Sequence, residues 1–94
     1  MSVDERLQGV WYADSSDLHT IREFGHSKIV ISGSKMTYYF PDGSAALLEI
    51  VECKDGVLIT DQSSAPQRES TQYMFDENTR LVLEMRGSRS VFRR

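Results

Sequence analysis

The chain is 94 residues long, enough for one domain and too short for two without disulfides or metal clusters to hold them. Its 39% hydrophobic and 27% charged content excludes a disordered chain, and no apolar run approaches the ~18 residues of a membrane-spanning helix. The 11 basic and 14 acidic side chains leave a net charge of −3, which weighs against a general nucleic-acid binder.

The opening Met1-Ser2-Val3-Asp4-Glu5-Arg6-Leu7 has two acids by its fifth residue and no apolar run behind them, unlike a secretory leader. Cys53 is the only cysteine, so no internal disulfide forms. Both features lead to the expectation of a reducing, cytoplasmic setting and no membrane attachment. Ser2–Gln8 predicts one helical turn capped by Ser2 or Asp4.

From there the apolar spacing is close to two. Met36, Tyr38 and Phe40 alternate with Thr37 and Tyr39, and Leu81, Leu83 and Met85 alternate with Val82 and Glu84. Period two with β-branched and aromatic content predicts half-buried strands. They fall at Val10–Asp14, Thr20–Phe24, Lys28–Ser32, Lys35–Phe40, Ala45–Cys53, Val57–Thr60, Thr71–Phe75, Arg80–Met85 and Arg89–Arg93. Phe40-Pro41-Asp42-Gly43-Ser44, Lys54-Asp55-Gly56, Asp76-Glu77-Asn78-Thr79 and Arg86-Gly87 carry turn chemistry between them. Ser15-Ser16-Asp17 interrupts the first hairpin, and Asp61–Ser70 reads as one long polar loop. Chained hairpins predict an all-β fold over residues 1–94. The expected architecture is an eight- or nine-stranded antiparallel up-and-down barrel, since closure removes exposed edges.

One run is more specific. Leu7-Gln8-Gly9-Val10-Trp11 sets a Gly-x-Trp at the head of the first strand, and Val91-Phe92-Arg93-Arg94 puts arginine on the last. This pairing resembles the lipocalin or calycin superfamily of barrels. The resemblance implies that Trp11 plugs the closed end, that Arg93 or Arg94 packs on its indole, and that Gly9 lets the backbone pass close by. It also implies a ligand entering the opposite end, where Tyr38, Phe40, Leu48 and Tyr73 are the expected contacts.

Against a ligand stands a filling count. Strands of five or six residues send two or three side chains inward, roughly 20 in all. Strict alternation supplies about that many, including Trp11, Ile29, Ile31, Val57, Ile59, Leu81, Leu83 and Met85. The count predicts a filled interior.

Catalytic and metal sets do not assemble. His19 and His26 are the only histidines, and Cys53 lies on another strand from either, so neither metal nor cofactor is expected. There is no Gly-x-Ser-x-Gly elbow, and Cys53 sits between Glu52 and Lys54, whose effects on the thiol oppose. Glu49 and Glu52 fall on opposite faces of one strand by strict alternation. Arg86, Arg89, Arg93 and Arg94 form a basic end that suits an acidic protein partner better than nucleic acid. Tyr12, Val30, Tyr39, Leu47 and Val51 face outward and offer a surface for a second copy.

The reading is therefore a non-catalytic interaction module. Its contacts are expected through the loop residues Asp61, Gln62, Ser63, Ser64, Pro66, Gln67 and Arg68 or an outer strand face, with a homodimer among the partners. The alternative is a carrier of a small apolar ligand in the barrel interior. An enzyme of unstated reaction is the third reading.

Overall fold

A computed structural model describes residues 2–62 and 65–94, with the backbone alone for residues 65–67. A 3-10 turn at Glu5–Leu7 precedes β1 (Gly9–Ala13), α1 (Leu18–Phe24), β2 (Lys28–Ser32) and β3 (Lys35–Tyr39). β4 (Ala45–Lys54), β5 (Val57–Gln62), β6 (Ala65–Phe75), β7 (Leu81–Met85) and β8 (Ser88–Arg93) follow. Each strand pairs antiparallel with the next and β8 returns to β1, so the sheet is a closed eight-stranded barrel. Asp4 caps the opening turn by accepting from the Arg6 N–H. Arg86 and Gly87 both hold positive φ, the conformation that joins β7 and β8 without splaying them.

The segment Thr20–Phe24 is helical, not a strand, which reduces nine predicted strands to eight. Its ends explain this. The Asp17 carboxylate accepts from the Thr20 N–H at 3.0 Å, and Gly25 at φ 66° donates its N–H to the Ile21 carbonyl. Two turns are too short to display a helical period over ten residues. Thr20 and Phe24 then share one face, which lies against the barrel.

That helix completes the barrel wall. β1 stops at Ala13, so the first half of β8 pairs with β7 on one edge and has no strand on the other. The Val91 N–H donates instead to Thr20 Oγ1 at 2.8 Å, and Thr20 is fully buried. The ring of Phe24 packs edge-on to Phe92, with centroids 5.8 Å apart.

One bulge decides what faces inward. In β4, Ile50 pairs with Thr60 and Glu52 with Ile59, so Val51 has no partner. The extra residue resets the alternation downstream. Leu58 and Thr60 are buried inside, whereas the predicted Val57 and Ile59 are partly exposed. The same reset leaves both Glu49 and Glu52 exposed, correcting their expected placement on opposite faces. Across from β5, the inward positions of β6 are Glu69, Thr71, Tyr73 and Phe75. The barrel is thus apolar along β2–β4 and polar along much of β5 and β6.

Outside the core, Asp14 ties the end of β1 to the β6–β7 turn. Its carboxylate accepts from the Ser16 N–H and hydroxyl and from Arg80, which also bonds Asp76. The two Ser16 bonds, with help from Arg80, hold the Asp14 carboxyl down at about 2. A carboxylate whose folded pKa is depressed stabilises the fold above its unfolded pKa and loses that contribution as pH falls toward the folded value. In urea titrations, the stability gap between the native chain and Asp14→Asn is expected to be widest above pH ~5 and to close toward pH ~2. A gap that widens on acidification contradicts this account of Asp14.

Candidate functional site: a cup opposite a sealed end

The sealed end is built on Trp11. Its ring is 1% exposed, and its Nε1–H donates to the Leu7 carbonyl at 2.9 Å, satisfying the one polar atom it buries. Phe75 packs on it from across the barrel at 5.9 Å. The guanidinium of Arg94 lies 4.1 Å from the indole centroid and donates to the carbonyls of Gln8 and Arg6. Gly9 makes room for it: a Cβ there would stand 2.5 Å from Arg94 Nη1, and φ is +118°. Of the two arginines proposed for this contact, Arg94 makes it and Arg93 points to solvent.

Tyr73 belongs to this end. Its hydroxyl donates to Asp4 at 3.1 Å and lies 3.6 Å from the Cys53 sulfur. Burial first, then those two neighbours, push the phenol pKa upward. The Asp4 carboxyl is held at about 2, chiefly by Arg6. Tyr73 is therefore not a contact for a ligand entering the other end, because its position on β6 carries it toward Phe75 and away from the mouth.

At the other end the interior is not filled. A cavity of about 410 Å³ opens there. One wall is Phe24, Met36, Tyr38, Phe40, Ala46 and Leu48; the other is Thr60, Gln62, Glu69, Thr71, Met85, Arg86 and Ser88, with Glu23 at the rim. Phe24, Tyr38 and Phe40 stack in series, each pair of centroids 6.1 Å apart and the planes within 24°. Burial alone pushes the Tyr38 hydroxyl pKa upward, so it stays protonated. The filling count fails here for a physical reason: past the β4 bulge Thr60 faces inward in place of the expected Ile59, and Glu69 and Thr71 face the same space from β6.

Three of the four predicted ligand contacts, Tyr38, Phe40 and Leu48, meet in this cavity. Glu69 and Arg86 were not foreseen. They form an ion pair across the mouth. At the rim, His19 Nε2 and Ser88 Oγ are 3.0 Å apart, which ties α1 to β8. His19 is exposed and Ser88 lines the cavity, so the contact links the outer face of the helix to the mouth.

The expected partner loop is largely strand. Asp61 and Gln62 end β5, Arg68 lies exposed within β6, and Thr60 pairs with Glu69 and Ile59 with Ser70. Polarity misled here because half of each strand's side chains face water. Ser63 and Ser64, and the side chains of Pro66 and Gln67, lie outside the described residues. Two of the four C-terminal arginines are also engaged, Arg86 with Glu69 and Arg94 with Trp11, which thins the basic end.

On the outer surface, strand register sets Val10, Val30, Thr37 and Leu47 in one row across β1–β4. Tyr12, Lys28, Tyr39 and Ala45 form the next row. Among the described residues, no group of three or more histidine, cysteine, aspartate or glutamate side chains is set to hold a metal ion. No family model matches the chain, and no curated protein or solved structure matches it either.

Proposed function

We propose that this protein binds a small amphipathic molecule in the open end of its barrel, as a carrier or sensor without chemistry of its own. The carrying observation is the cavity of about 410 Å³, apolar on one wall and polar on the other. Small-molecule sites span roughly 300–1,000 Å³, and this one sits at the small end, with room for about a dozen water-sized groups. The aromatic stack takes the apolar body. The hydroxyls and the charged rim take the polar group and keep it near water. The Trp11–Arg94 seal at the far end supports kinship with lipocalins and calycins, whose ligands enter opposite the plug.

A neutral, environment-sensitive naphthalene dye tests the reading. It is expected to brighten and shift to the blue on titration with the protein. Ala46→Trp, which fills the cup from β4, is expected to weaken dye binding at least tenfold while leaving the thermal midpoint within a few degrees. Equal dye binding by this variant places the dye elsewhere and removes the support for the cup.

A second reading concerns assembly. Tyr12 and Leu47 are 47% and 63% exposed, and their rows, apolar except for Thr37 and Lys28, form a face suited to a second copy of the chain. Sedimentation equilibrium is expected to give a dimer that Leu47→Lys dissociates; a monomer at high concentration overturns this reading alone.

A further inference from the structure

We infer that the molecule held in the cup is a cation: an amphipathic organic amine, its apolar part against Tyr38, Phe40 and Leu48 and its ammonium at the mouth. The inference rests on the binding reading above and adds the chemical class of the ligand. Three charged side chains line the cavity: Glu23, Glu69 and Arg86. Arg86 already donates to Glu69, so the guanidinium is neutralised in place. Glu23 remains, and the mouth carries a net charge of −1 by this count (two acids against one base).

An anionic ligand meets an obstacle there. It can use only the N–H groups of Arg86 that Glu69 leaves free, and there it lies beside Glu69 and shares the mouth with Glu23. An ammonium displaces nothing. It donates to Glu23, finds hydroxyl acceptors in Thr60, Thr71 and Ser88, and lies over the electron-rich rings of the stack. Of the other charged groups nearby, Arg22 projects to solvent from α1, and His19 is clasped to Ser88. The chain as a whole is also negative, at −3.

Three probes of one shape separate the classes: 2-naphthylmethylamine, 2-naphthylmethanol and 2-naphthoate. Their affinities are measured by displacement of the neutral dye at pH ~8 and at low salt. The amine is expected to bind about fivefold to tenfold more tightly than the alcohol, from one unit charge acting across a partly solvated mouth, and the carboxylate more weakly than either. Glu23→Gln, an exposed position, is expected to bring the amine down to the affinity of the alcohol. Equal or tighter binding of the alcohol or carboxylate overturns the inference and leaves the cup as a binding site. Failure of all three probes to displace a bound dye overturns both the inference and the cup.

Discussion

Replacement of Trp11 by alanine is expected to lower the unfolding free energy by about 3–5 kcal/mol. Small domains are held by roughly 5–15 kcal/mol in all, so this variant sits near the edge of folding. Three losses combine. The indole is nearly fully buried, and its removal leaves a void beside Phe75. The Leu7 carbonyl at the end of the 3-10 turn loses its donor. Arg94 loses the ring it covers. Trp11→Phe keeps much of the volume and is expected to cost less than half as much. Arg94→Ala is expected to cost about 0.5–1 kcal/mol, since the guanidinium is exposed on its outer side. Urea denaturation of the single variants and the double variant measures each step, and the double variant is expected to fall short of the sum. A Trp11→Ala protein within 1 kcal/mol of the native chain contradicts the seal.

Thr20→Val is expected to cost about 2–3 kcal/mol although the two side chains have nearly the same shape. The valine cannot accept the Val91 N–H, which is then buried without a partner, and the bond from Thr20 Oγ1 to Asp17 is lost as well. Thr20→Ser keeps the hydroxyl and is expected to lose only the packing of one methyl, about 1 kcal/mol. Hydrogen exchange separates the causes. The Val91 amide is expected to be protected in the native and serine proteins and to exchange freely in the valine protein, with Leu83 on β7 protected in all three. If valine and serine proteins are equally stable, the helix does not complete the barrel wall as described.

The barrel was legible because its signals are local and repeated. Turn chemistry at Pro41-Asp42-Gly43, Asp55-Gly56 and Arg86-Gly87 marks hairpins, and chained hairpins close. Gly9, Trp11 and a terminal arginine marked the sealed end for the same reason, since each is a residue type with few other uses in that position. The short helix was missed because its caps, Asp17 and Gly25, are its only strong signals, and Ile21 and Phe24 fit a strand equally well. Three contacts of the open end, Tyr38, Phe40 and Leu48, were named from the family resemblance, and the filling count missed the space between them because it depends on one unpaired residue. Val51 lies in a run with apolar side chains at both parities, Leu47 and Leu48 and then Ile50 and Val51, so neither face identifies the bulge. Glu69 and Arg86 are 17 residues apart in sequence, and their pairing joins β6 to the turn between β7 and β8, which no local signal marks.

Methionine methyl groups report on the cup directly, because Met36 and Met85 line it while Met74 stands 57% exposed on the outer surface. In the methyl spectrum of protein labelled at methionine, titration with 2-naphthylmethylamine is expected to move the Met36 and Met85 signals together along one saturating curve and to leave Met74 in place. Movement of Met74 alone, or a uniform drift of all three without saturation, would show that the molecule meets the surface and that the open end of the barrel holds nothing.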